Sequence, residues 1–103
     1  MFQITYKSFL KENKNLSDYK AWLREAWPVY QEWGAVSFEI WTDPARNENI
    51  VYCKYIIRDL RRWNRMAMKN NTAPLVHALN DVIDGQRIGI TIRADCPDKP
   101  MNQ

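Results

Sequence analysis

Three short runs of this chain alternate apolar and polar residues, a fourth is apolar on both sides and leaves its face assignment ambiguous, and the longer stretches between them repeat their apolar residues every three or four positions. Phe2, Ile4 and Tyr6 alternate with Gln3, Thr5 and Lys7, which is the period of a strand with one buried face. Val36, Phe38 and Ile40 alternate with Ser37, Glu39 and Trp41, and Ile88, Ile90 and Ile92 with Gly89, Thr91 and Arg93. The run from Ile50 to Ile57 is rich in β-branched and aromatic residues, and Val51, Cys53, Tyr55 and Ile57 make its more apolar set. Between the first two strands, Tyr19, Trp22, Leu23, Ala26, Tyr30 and Trp33 lie at helical spacing on one broad apolar face. Ser17 is the expected N-cap of that helix, Pro28 the site of a kink or short restart, and Gly34 its left-handed terminator. Asp59 is expected to cap a helix through Leu60, Trp63, Met66 and Ala67. Asn70-Asn71 breaks it, and Thr72 with Pro74 starts another through Leu75, Val76, Leu79 and Val82. Residues Asp43 to Asn49 read as a hairpin loop and Asp84-Gly85 as a turn.

The predicted order is β-α-β-β-α(α)-β, a ferredoxin-like α+β fold with a four-stranded antiparallel sheet and its helices on one face. One domain over residues 1–94 is expected, with 95–103 as a flexible or partner-held tail; 103 residues hold one core and not two. The helix-facing set is expected to be Phe2, Ile4, Tyr6, Val36, Phe38, Ile40, Val51, Cys53, Tyr55, Ile88, Ile90 and Ile92. The opposite face would carry Gln3, Thr5, Ser37, Glu39, Trp41, Tyr52, Lys54, Thr91 and Arg93. It is polar but bears aromatics, and water, a nucleic acid or the same face of a second subunit would cover it. Exposed aromatic patches of this kind favour the second subunit, so a homodimer is expected.

Composition narrows the chemistry. No apolar run approaches the ~20 residues of a membrane span, and no basic head precedes an apolar block at the N-terminus. Cys53 in a strand and Cys96 in a Pro-flanked tail read as free thiols in a reducing cytoplasm, the expected location. Cys53 is expected to be buried and inert, and Cys96 accessible. Neither cysteine stands at zinc-ligand spacing from His77, so no metal is expected. Three glycines and no glycine-rich loop give no cradle for a nucleotide cofactor, and none is expected. The net charge of +3 selects no partner class. Lys54, Arg58, Arg61, Arg62, Arg65 and Lys69 form a basic run, read as a solvated face or an anion-facing patch. The third strand lacks the glycine of an RNA-binding sheet motif, which weighs against nucleic acid as partner.

The helix running through Trp27-Pro28 to Gly34 leads straight into the strand at Val36, followed by Trp41-Thr42-Asp43-Pro44. The strand ending at Ile57 precedes Arg58-Asp59-Leu60-Arg61-Arg62-Trp63, a broken helix and His77. In these features the chain resembles the dimeric α+β barrel superfamily, which includes antibiotic-biosynthesis-type monooxygenases, muconolactone-isomerase-like proteins and stress-responsive barrel proteins. The resemblance implies two sheets paired face to face and a ligand cleft between each sheet and its own helices. Haem-degrading members use a helical Trp and a later helical His; Trp63 and His77 are the matching positions. Those members also use an Asn on the first strand, where this chain offers Gln3, Thr5 and Tyr6.

The expected site therefore combines Tyr6 and Tyr55 as hydrogen-bond donors, Trp63 as aromatic wall and His77 as the catalytic group. His77 is the only histidine, the residue type that ordinarily titrates near neutrality. The expected ligand is a small apolar or aromatic molecule, and the expected activity that of a cofactor-independent monooxygenase or isomerase. A non-catalytic stress-response or binding member of the fold, and a nucleic-acid-binding ferredoxin-like module, stay open as alternatives.

Overall fold

The computed structural model describes residues 1–43, 47–69 and 73–94. The Asn70-Asn71 break, the helix start at Thr72, residues 44–46 of the hairpin loop and the tail with Cys96 lie outside the described residues, while Asp43 belongs to β2 and Asn47 to Asn49 belong to β3. The elements are β1 (Phe2–Phe9), α1 (Leu16–Glu32), β2 (Ala35–Asp43), β3 (Asn47–Ile57), α2 (Leu60–Ala67), α3 (Ala73–Asn80) and β4 (Gly89–Arg93). The strands form one sheet in the order β2-β3-β1-β4 with every neighbouring pair antiparallel. This is the ferredoxin-like arrangement the sequence predicts.

Local chemistry sets the helix ends. The N-cap of α1 is Asn15, two residues before the expected Ser17. The Asn15 side chain accepts from the Asp18 backbone N–H at 3.1 Å, and the Asp18 carboxylate accepts from the Asn15 N–H at 2.9 Å. This reciprocal pair satisfies two donors at once, which a lone serine does not. α1 runs unbroken through Pro28, so no restart occurs. Ala26 and Trp33, buried on either side, hold the stripe in register at the cost of one main-chain hydrogen bond. Gly34 follows with φ of +111°. Arg62, read from sequence within a basic face, has a different task. Its Nε and Nη2 donate to the Glu32 carbonyl at 3.0 and 2.7 Å, closing the α1 C-terminus. Asp59 caps α2 as expected, accepting from the N–H groups of Arg61 and Arg62.

Sheet register fixes the two faces. Phe2, Ile4, Tyr6 and Ser8 stand opposite Ile57, Tyr55, Cys53 and Val51, and these side chains share the face beneath α1. Ile4, Val51, Cys53, Tyr55 and Ile57 are fully buried there with Leu23 and Ile83, each large apolar side chain contributing roughly 1.5–3 kcal/mol. Two assignments need correction. A register shift at the start of β2 sets Ala35, not Val36, opposite Ile57, and Ala35 is the buried residue. Ile88, Ile90 and Ile92 lie on the helix side but are exposed, Ile90 by 58%. β4 is an edge strand, and the short α2 and α3 leave its outer side uncovered. On the other face Lys54 pairs with Glu39 at 3.2 Å, and Trp41 stacks on Tyr52 with centroids 5.4 Å apart.

Candidate functional site

α1 carries its aromatic residues at helical spacing; Tyr30 falls against the central strand β3, while Trp27 meets Phe38 of the edge strand β2. Tyr30 sits at the middle of the cluster, 4.9 Å from the Trp33 ring, 5.1 Å from Tyr55 and 5.2 Å from Trp63. Trp63 also meets Trp33 and Tyr55, and Tyr6 meets Tyr55 edge-on. Offset and edge-on pairs of this kind add about 0.5–1.5 kcal/mol each beyond burial. The result is a rigid wall of rings.

In front of that wall lies a cavity of about 320 Å³, bounded by β1, β3 and α1 within and by α3, Gly85, Ile88 and Ile90 at its mouth. Its size lies within the ~300–1,000 Å³ range of small-molecule clefts. None of the described lining residues is charged. The polar groups of the described lining residues are the hydroxyls of Tyr6, Ser8, Tyr19, Tyr30 and Tyr55, the Trp22 and Trp33 indoles and the Asn80 amide. The Trp22 Nε1–H is already spent on the Leu75 carbonyl at 3.1 Å, which ties α1 to α3 across the cavity.

Burial keeps the hydroxyls protonated. The pKa values of Tyr6, Tyr19, Tyr30 and Tyr55 are all raised, chiefly because a phenolate here would lose its water. Behind the cavity the Cys53 thiol is pushed up to about 11 by burial, against the opposing hydrogen bonds of Tyr55 and Tyr19. Cys53 is thus the buried thiol that the strand register predicts, and its raised pKa disfavours the reactive thiolate.

The expected site residues are placed as follows. Tyr6 and Tyr55 line the cavity. Trp63, only 2% exposed, stands behind the lining and donates its Nε1–H to the Tyr6 hydroxyl oxygen at 3.2 Å. His77 is exposed on α3 beside the lining residue Val76 and does not itself line the cavity. Tyr19, Tyr30 and Asn80 line it without having been singled out as site residues. Tyr19 and Tyr30 carry a polar tip on an apolar stripe, and that was the available signal. Asn80 gave none, because its position depends on the end of α3 meeting the turn at Gly85. Among the described residues no three His, Cys, Asp or Glu side chains come together as metal ligands would. No described helix is long and apolar enough to cross a membrane.

No family model matches the chain, and no curated protein matches it by sequence. Solved structures do share its shape. SnoaB, a cofactor-independent oxygenase from Streptomyces nogalater, superposes with a TM-score of 0.73 at 8% identity, covering 99% of this chain and 97% of its own. A putative antibiotic biosynthesis monooxygenase from Bordetella bronchiseptica gives 0.76 at 6% identity, with 92% and 96% covered. Another from Nitrosomonas europaea gives 0.67 at 12% identity, with 92% and 98% covered. The chain carries the ferredoxin-like α+β fold that these oxygenase and monooxygenase structures share.

Proposed function

We infer that the cavity between sheet and helices binds a small, planar, electron-rich aromatic molecule and oxidises it with molecular oxygen, without a cofactor. The observation that carries this reading is the bond between Trp63 and Tyr6. Trp63 fills a lone pair of the Tyr6 oxygen, so the Tyr6 proton is free for donation into a cavity whose other described lining residues are uncharged. A substrate oxygen that gains negative charge as the ring is oxidised meets that donor, with the Tyr55 ring beside it. In a water-poor site such fixed donors stabilise developing charge without reorganising. Tyr6 and Tyr55 bind, and Trp63 positions Tyr6. The substrate itself supplies the electrons, and the fold likeness to a cofactor-independent oxygenase supports that division of labour.

The test is oxygen uptake with 1,5-dihydroxynaphthalene, in which the ring and O₂ give 5-hydroxy-1,4-naphthoquinone and one water. Uptake that depends on the protein and falls about tenfold or more in Tyr6→Phe supports the reading, since a lost donor to a charged group is worth about 1.5–3 kcal/mol. Uptake equal to the protein-free rate would overturn it. His77, named from sequence as the proton carrier, is tested in the same assay. Turnover lost with binding retained in His77→Ala assigns it that step, and full activity removes it.

The outer sheet face, with its stacked Trp41–Tyr52 pair, supports a homodimer in which each sheet covers the other. Light scattering at twice the chain mass is the expected result, and a monomer mass at micromolar concentration would contradict it.

A further inference from the structure

We propose that the groove between α1 and the edge strand β2 is a second small-molecule site, built for an aromatic carboxylate. The groove encloses about 440 Å³ and shares no lining residue with the central cavity. Leu23 and Trp27 from α1 and Phe38 and Ile40 from β2 form its apolar walls, and Lys20 and Arg24 stand at its rim. The Trp27 and Phe38 rings meet at 66° with centroids 4.7 Å apart. Phe38 faces the helices, opposite the buried Tyr55, yet remains 39% exposed. An open ring beside a fixed indole offers a planar ligand both an edge and a face.

Charge decides which ligand. Lys20 and Arg24 are four residues apart on one side of α1, and neither forms an ion pair among the described residues. Glu39, the one acid among the described lining residues, directs its carboxylate to the Lys54 ammonium at 3.2 Å, so its charge is already answered. Asp18 and Glu25 line a separate groove, between α1 and α3. The groove therefore presents two uncommitted cations above two aromatic rings. Arginine's planar fork matches a carboxylate through two parallel hydrogen bonds, and the lysine adds a point charge. None of the central cavity's described lining residues is charged, and it takes the neutral ligand; this groove takes the acidic one. It gives the protein a place to hold an aromatic acid away from the proposed oxidation cavity, and it does not depend on that activity.

The experiment is a titration of the uniformly labelled full chain with naphthalene-2-carboxylate, followed by amide and indole resonances. Saturable shifts at Lys20, Arg24, Phe38 and the Trp27 indole are expected. The Lys20→Gln/Arg24→Gln variant, which alters only exposed side chains, should bind about tenfold more weakly, as should naphthalene-2-carboxamide to the unaltered chain. Shifts confined to Leu79, Ile90 and Tyr55, or equal affinity in the charge variant, would overturn the proposal. So would an acidic extended peptide that shifts the β2 amides where the naphthoate does not, since that marks strand addition instead.

Discussion

Trp63→Phe, Tyr6→Phe and the double variant form a cycle whose outcome follows from one bond and its surroundings. Tyr6→Phe removes the acceptor of the Trp63 Nε1–H, and Trp63 is only 2% exposed, so the donor is left without water. A stranded buried donor costs about 1–3 kcal/mol. Trp63→Phe loses the same bond and shrinks a ring packed against Tyr30, Trp33 and Tyr55 at 5.2–5.4 Å. The resulting void raises its cost to roughly 2–3 kcal/mol, below the full truncation of an aromatic residue. In the double variant the bond is lost only once. The two costs should therefore fall short of adding by about 1 kcal/mol, within the range found for contacting pairs. Urea unfolding followed by far-UV circular dichroism measures all three variants, and each kcal/mol should lower Tm by about 4–8 °C in a domain of this size. Additivity to within about 0.3 kcal/mol would refute the bond, and with it the claim that Trp63 sets the direction of the Tyr6 proton.

Gly34→Ala should cost about 1–2 kcal/mol in thermal unfolding. Its φ is +111° while no atom crowds the new Cβ, so a neutral result would mean that the backbone at the end of α1 is not held there. Stability should fall as pH rises above about 9. The unfolded chain releases the Cys53 proton near 9 while the folded chain keeps it to about 11, so the native state binds more protons in that window. The buried tyrosines act in the same direction from pH 10 upward, and flat stability from pH 9 to 11 would contradict these burial effects. Gly85→Ala places a Cβ 2.5 Å from the Asn80 Oδ1, which must move; binding of 1,5-dihydroxynaphthalene should weaken several-fold, and unchanged affinity would remove Asn80 from the ligand's surroundings.

Alternation along β1 was enough to assign its buried face, whereas β3 is apolar on both sides and only its more apolar set, Val51, Cys53, Tyr55 and Ile57, pointed to the face that packs. The same logic misled at β4. Its isoleucines alternate correctly, yet an edge strand's burial depends on how far the neighbouring helices reach, and α2 and α3 are eight residues each. The one-residue shift at Ala35 was equally invisible, since a bulge leaves the local pattern intact and moves only its phase. Of the candidate site, the tyrosines on strands were legible from register, and so was the aromatic character of the wall. The link from Trp63 to Tyr6 joins residues 57 apart in sequence. The exposure of His77 depends on the rotation of a short helix. Neither has a signature in local spacing. The capping role of Arg62 was hidden in the same way, because its partner is a main-chain carbonyl 30 residues earlier.

A crystal structure of the full chain with 1,5-dihydroxynaphthalene tests the central claim most directly. The account predicts the ring between β1 and α3, against Tyr30 and Tyr55, with one ligand oxygen at about 2.7–2.8 Å from the Tyr6 hydroxyl. A ligand found only in the α1–β2 groove or on the outer sheet face, with the cavity beside Tyr6 unfilled, would contradict it.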